Sequence, residues 1–147
     1  MSATADHAEE RANSAVRLGF QPGQVVQELG YDEDVDEELR LEIAEVTGNE
    51  LVDEDYEDDV ADVVLLWFRE DDGDLVETLM DALVTLTDGG HIWLLTPKTG
   101  RDGYVEPSEI GEAAPTAGLS RTTSFGAVKD WSATRLVSPK AVRSGRK

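Results

Sequence analysis

Two short apolar runs frame the chain. Val63-Val64-Leu65-Leu66-Trp67-Phe68 and Ile92-Trp93-Leu94-Leu95 are uninterrupted by polar residues and rich in β-branched and aromatic side chains. Strands covered on both faces read this way, because neither face has to meet water. Between them Leu75, Leu79, Leu83 and Leu86, with Val76 and Met80 beside them, recur at helical spacing and predict one buried stripe. Asp74 with Glu77 three positions on has the spacing of a capping box, and Gly89-Gly90 suits the helix exit. Residues 62–97 therefore predict a β-α-β unit whose two strands are parallel neighbours.

The rest of the chain extends this unit. Residues 24–29 predict a first strand ended by Gly30, and residues 35–46 a helix with Val35, Leu39, Ile43 and Val46 turned inward. Asp34, with Glu37 three on, is the expected N-cap, and Gly48 the exit. Asp36, Glu37 and Glu38 in its first turn suit the positive end of the helix dipole. Residues 49–52 read as a short second strand and residues 53–59 as a solvated acidic connection. Pro107 predicts a helix start, with Ile110, Ala113 and Ala114 packing inward, and Pro115 must end or restart that helix. Residues 121–128 and 132–137 predict an antiparallel hairpin. The expected fold is α/β, three layers around a mostly parallel sheet, with that hairpin at the C-terminal end. The strands are expected in the order 2-1-3-4, with the hairpin beyond. Residues 18–139 form this domain, residues 1–17 are an N-terminal helix or disordered segment, and residues 140–147 a basic flexible tail.

Charge changes the picture more than size does. Of 147 residues, 32 are acidic and 13 basic, giving −19. Such a surface repels nucleic acid and anionic membrane and favours basic partners or cations. Solubility, or adaptation to salt, accounts for the same acid. There is no cysteine, so neither a disulfide nor a thiolate metal site exists, and a cytoplasmic location is the default expectation. The alanine-rich, polar start does not read as a signal peptide, and no apolar run is long enough to span a membrane.

Catalytic and metal motifs fail residue by residue. An EF-hand loop begun at Asp32 needs glycine at its sixth position and glutamate at its twelfth, and meets Glu37 and Ile43; begun at Asp53 it ends on Val64. His7 and His91 are the two histidines and stand in no ligand pattern, so no metal is expected. Neither a nucleophile elbow nor a phosphate-binding P-loop occurs. Trp67, Trp93 and Trp131 read as packing residues rather than a base-stacking platform.

The stretches QPGQVVQELGYDEDVDEELR, ADVVLLWF, IWLLTPKTGRDGYVEPSEI and AAPTAGL resemble a largely actinobacterial family, domain-of-unknown-function 3052, over most of residues 18–139. The resemblance implies a Rossmann-like fold and no established activity. The wider pattern is similar to the second half of the S-adenosylmethionine-dependent methyltransferase fold. That likeness implies a cofactor turn at the end of the first strand and a ribose-binding acid at the end of the second. Glu28 and Gly30 match the opening of the turn, but Asp32 and Asp34 stand where small glycines belong; Asp53 falls at the acid's place. Few residues separate Val52 from Asp62, too few for a crossover of about a dozen, so a third strand with its helix is missing.

Ligands of open parallel sheets bind beyond the carboxyl ends of the strands. Those ends are Gly30-Tyr31-Asp32, Trp67-Phe68-Arg69, and Thr96-Pro97-Lys98 with Arg101. The ligand-binding candidates are thus Glu28, Gly30, Tyr31, Asp53, Trp67, Arg69, Thr96, Lys98 and Arg101. They form either a pocket of mixed charge or surface ion pairs between adjacent loops, and the ion pairs are preferred because pockets are few per protein. The acidic candidates for an interaction surface are Asp32, Glu33, Asp34, Asp36, Glu37, Asp53, Glu54, Asp55, Glu57, Asp58 and Asp59. The expected function is a non-catalytic acidic interaction or regulatory module, without cofactor, on a degenerate methyltransferase-like fold, recognising a basic protein. The alternatives are a reduced methyltransferase binding an adenosine-containing ligand at Gly30 and Asp53, and a mimic of duplex DNA.

Overall fold

The computed structural model describes residues 15–53, 61–128 and 130–138. Strand β1 (Val26–Leu29) is followed by helix α1 (Glu37–Thr47), β2 (Ala61–Trp67), a 3₁₀ turn (Glu70–Asp72), α2 (Leu75–Leu83), β3 (Leu86–Pro97), α3 (Pro107–Thr116) and the hairpin β4 (Ser120–Val128) and β5 (Trp131–Val137). The sheet order is β1-β2-β3-β5-β4. β1, β2 and β3 are parallel, and β5 runs antiparallel to both β3 and β4. The expected second strand is reduced to one bridge, Val52 beside Gln27 on the outer side of β1.

β2 is buried on both faces, and its alternate side chains divide the core. Val63, Leu65 and Trp67 pack with Trp93, Leu95 and Trp131 against α1 through Leu39 and Ile43. Val64, Leu66 and Phe68 pack with Ile92 and Leu94 against α2 and α3 through Leu79, Ile110 and Ala114. The sheet thus lies between one helix and two. Ala15, Leu18 and Phe20 belong to the first cluster, so the junction between the N-terminal segment and the domain contributes core; residues 15–17 are helical. The rest of the N-terminal segment, the acidic stretch 54–60 and the basic tail lie outside the described residues.

Three boundaries differ from expectation. The N-cap of α1 is Asp36, which accepts from the Leu39 amide at 3.3 Å, and not Asp34, which turns to Arg69. Helix α2 does begin at Asp74, whose carboxylate accepts from the Val76 amide, but it ends at Leu83. Leu86 opens β3 instead of completing the helical stripe, and Met80 is exposed. Gly89 and Gly90 are no helix exit: Ala61 pairs with Leu86 and Val63 with His91, so residues 87–90 bulge out of register. A Cβ at Gly90 would stand 2.6 Å from the Asp62 carbonyl oxygen, which is why glycine is needed there. Pro115 lies in the last turn of α3, which stops one residue later.

Candidate functional site

The carboxyl ends of β1 and β2 meet through two arginines. Glu28 on β1 is buried, and Arg40 on α1 grips it with Nε to Oε2 at 2.7 Å and Nη2 to Oε1 at 2.9 Å. The Trp67 indole N–H, from β2, donates to the same Oε2 at 2.8 Å. Arg40 also donates to Glu37 at 2.8 Å, and its guanidinium lies 4.6 Å from the centre of the Tyr31 ring. The Tyr31 hydroxyl donates to Glu37 at 2.8 Å. That bond and the Glu37 charge hold the Tyr31 phenol above its usual range, and Glu37 in turn is lowered by Tyr31 and by Arg40. Glu28, before Glu37, holds Arg40 firmly protonated.

Arg69 closes the adjacent turn. Its Nη1 donates to the Gly30 carbonyl at 2.7 Å and to Asp72 at 3.1 Å, while Nε and Nη2 form a fork on Asp34. The guanidinium lies 5.2 Å from the Trp131 ring centre, and its stem packs where a Cβ at Gly103 would stand, 2.9 Å from Arg69 Cβ. Asp34 is accordingly held below the ordinary carboxylate range, chiefly by its hydrogen bond with Arg69. Gly30 is in the left-handed region at φ 80°, and a Cβ there would meet the Trp67 carbonyl oxygen at 2.2 Å. The space that this glycine leaves is filled by the neighbouring strand and not by a ligand.

Of the candidates, Glu28, Gly30, Tyr31 and Asp53 line one cleft of about 380 Å³ together with Arg40. Trp67 lies beneath it through Glu28, and Arg69 seals its Gly30 side. Thr96 is elsewhere, lining a small cavity of about 180 Å³ between the sheet and α3 with Tyr104, Ile110 and Arg121. Arg101 pairs with Asp130 at 3.4 Å, and the Lys98 amide donates to the Asp130 carbonyl; both residues belong to the hairpin side. The third strand end therefore does not join the cleft. Arg40 was missed, although it is the sole base between Glu28 and Asp62 and stands three residues from Glu37.

Asp32, Glu33, Asp34, Glu37 and Asp53 are exposed. Asp36 is not a surface acid: it is buried as the helix cap. Glu54, Asp55, Glu57, Asp58 and Asp59 lie outside the described residues. Among the described residues no three histidine or carboxylate side chains gather to hold a metal, and no helix is long and apolar enough to cross a membrane.

This edge does not keep the glycine-rich turn of an S-adenosylmethionine site. Acids replace the later glycines, the Gly30 carbonyl carries Arg69, and the opening Glu28 is neutralised internally by Arg40.

Known structures share the architecture. The mitomycin 7-O-methyltransferase MmcR superposes with a TM-score of 0.62 at 10% identity, over 88% of this chain and 53% of that one. The O-methyltransferase NcsB1 from neocarzinostatin biosynthesis, in complex with S-adenosyl-L-homocysteine, gives 0.63 at 13% identity, over 93% and 56%. A SAM-dependent methyltransferase from Aquifex aeolicus gives 0.54 at 15%, over 86% and 88%. At such identities the likeness is one of fold, and the chain spans about half the length of the first two. The uncharacterised proteins Rv2239c of Mycobacterium tuberculosis and Mb2263c of Mycobacterium bovis are 55% identical over 143 residues, covering 97% of this chain and 87% of theirs. Residues 15–140 match the model of a protein family of unknown function, and with that match over most of its length the chain belongs to the DUF3052 family, on a methyltransferase-like Rossmann fold.

Proposed function

We propose that the protein is a non-catalytic interaction module of the cytoplasm that binds a basic segment of another protein through the acidic face around α1. The observation that carries this reading is the closure of the carboxyl edge by the protein's own Arg40 and Arg69. Side chains that would serve a reaction there are spent on internal ion pairs. On the outside Asp32, Glu33, Glu38, Glu45 and Glu50 are exposed, with Arg40 the sole base in that part of the sequence. Unlike charges across an interface speed encounter and set specificity. The test is fluorescence anisotropy of a lysine- and arginine-rich peptide titrated with the full chain at several salt concentrations. Glu33→Gln, Glu38→Gln and Glu45→Gln together should weaken binding and flatten its salt dependence. Glu106→Gln, Glu109→Gln and Glu112→Gln, exposed acids at α3 on the opposite side of the sheet, should weaken it much less. Equal loss in both variants would reduce the effect to net charge and refute a specific face.

A second reading rests on the 380 Å³ cleft, whose size suits a small molecule and which holds Asp53 and Tyr31. It makes the protein a binder of an adenosine-containing ligand, with Asp53 toward the ribose hydroxyls. S-adenosylhomocysteine at about a hundred times its dissociation constant would then stabilise the chain by about 2.7 kcal/mol, a rise in Tm of roughly 5–11 °C. A rise abolished by Asp53→Ala favours this reading over the first; no rise removes it.

A further inference from the structure

At the opposite edge of the sheet, where β1, β2 and β3 begin, lies a larger cleft of about 580 Å³. Arg17, Gln24, Asp62, Thr87, His91 and Arg135 are among its walls. Its volume is that of small-molecule sites. Its electrostatics are unlike those of the rest of the protein. The Asp62 carboxylate is already engaged, accepting from the Val25 amide at 2.8 Å. Arg135, opposite Trp93 in the β3–β5 register, has no carboxylate partner among the described residues. In a chain of −19 the surrounding field favours a cation, so Arg135 keeps its charge, and with no carboxylate on it that charge is open to a negative ligand.

The wall also holds an unmet polar group. His91 is 8% exposed, and its Nε2 has no hydrogen-bond partner among the described residues. Buried polar atoms in native folds are nearly always satisfied, so an orphan beside a cleft calls for a partner from outside the described residues. Burial first, and the Arg135 charge second, push His91 down to about 4, so the imidazole is neutral at pH 7 and meets an anion as an N–H donor rather than as a charge. Apart from the engaged Asp62, the wall offers donors: the Arg135 guanidinium, the Thr87 hydroxyl, and the amide of Gln24, whose Oε1 is occupied by the Gln21 N–H at 2.9 Å. A neutral ring, a guanidinium without an acid and neutral donors together suit a compact negative group.

We propose that the amino-edge cleft binds a small anionic metabolite, bearing a carboxylate or a phosphate, held by Arg135 beside His91. This site is independent of the acidic face and of the carboxyl-edge cleft. Carboxylate and phosphate present the same charged oxygens to arginine, so the probes must separate them.

The full chain is titrated at low ionic strength with inorganic phosphate, with citrate, and with chloride at matched ionic strength. Binding is read from the imidazole ¹H–¹⁵N resonances of His91, with His7 as the internal reference and His91→Gln fixing the assignment. A saturable movement of the His91 signals with phosphate or citrate, and none at His7, is the expected result; the tighter probe names the class. The bound anion should also raise the His91 pKa, since nearby negative charge favours the imidazolium. Arg135→Gln should weaken binding about tenfold or more, while Arg135→Lys, which keeps the charge, should retain most of it. Movements that merely follow ionic strength, as chloride would produce, overturn the proposal. So does an Arg135→Gln variant that is folded by circular dichroism and binds unchanged.

Discussion

The Glu28–Arg40 pair makes a sharp energetic prediction because its two partners are unequally buried. The Glu28 side chain is 6% exposed and that of Arg40 28%. Arg40→Met would strand a buried carboxylate with the Trp67 indole N–H as its remaining donor from this cluster. Removing one partner of a buried pair costs about 3–5 kcal/mol, and the partial exposure of Arg40, which lets water in, places the expected loss near 3 kcal/mol. Glu28→Gln is different. The guanidinium turns to water and keeps Glu37, and the new amide oxygen still accepts from Trp67, so the expected loss is about 1 kcal/mol. At about 2–4 °C per kcal/mol for a domain of this size, Tm should fall by roughly 6–12 °C in the first case and 2–4 °C in the second. The double variant leaves no buried charge at this pair and should be more stable than Arg40→Met alone. Urea denaturation followed by circular dichroism, assembled as a double-mutant cycle, measures all four states. Equal single losses that simply add would show that the bidentate pair is not coupled, and would refute the argument that the edge is closed by internal neutralisation.

Gly30→Ala should destabilise by roughly 3–5 kcal/mol, because a left-handed φ and overpacking against the Trp67 carbonyl act together; Gly48→Ala, at φ 78° with open space around it, should lose only about 1 kcal/mol in the same urea assay. Asp36→Ala removes the cap of α1 and should cost about 1 kcal/mol, more than Asn at that position, read by thermal unfolding. His91 gives a pH dependence of definite sign. The unfolded chain takes up its proton near pH 6.5 while the folded chain resists until about pH 4, so stability is full above pH 6.5 and is lost as pH falls through that window. The loss, measured as wild type against His91→Gln so that the carboxylates cancel, should approach about 2–3 kcal/mol near pH 4. A flat difference between the two proteins would place the imidazole in water.

The strands of the parallel core were legible because burial on both faces leaves a composition that no helix or loop shares, as in residues 63–68 and 92–95. The ends of elements were not, because tertiary contacts decide them. Asp34 is the better cap in sequence, with Glu37 three on, but Arg69, distant along the chain, takes it and leaves Asp36 to cap the helix. Leu86 continues the helical period by coincidence, while Val84 and Thr85, β-branched residues before it, end the helix and lead into a strand. The carboxyl edge could be named from strand ends alone, and Glu28, Gly30, Tyr31 and Asp53 do share one cleft. Ion pairs between its adjacent loops are the preferred reading of the sequence, and Arg69 does pair with Asp34; that Arg40 would turn back from the helix onto Glu28 was not legible, because it depends on how α1 packs over β1. The amino-edge cleft left no sequence signal at all. His91 and Arg135 come together only through the pairing of β3 with β5.

The lone bridge at Val52 has a consequence for how the molecule behaves in a crowd. A sheet that stops short exposes unpaired backbone groups, and such a border templates the addition of further chains. Here the Val52 amide donates to the Val26 carbonyl at 2.9 Å and its own carbonyl accepts the Glu28 amide at 2.7 Å. One residue thereby occupies the middle of a four-residue strand, and the Asn49 side chain covers the Gln24 carbonyl just before it. The opposite border, β4, shifts register between Arg121 and Ser124 and again between Phe125 and Val128, and such kinks disfavour docking of a straight strand. Among the described residues, a single residue thus gives the centre of this border the shielding that a whole strand would otherwise provide.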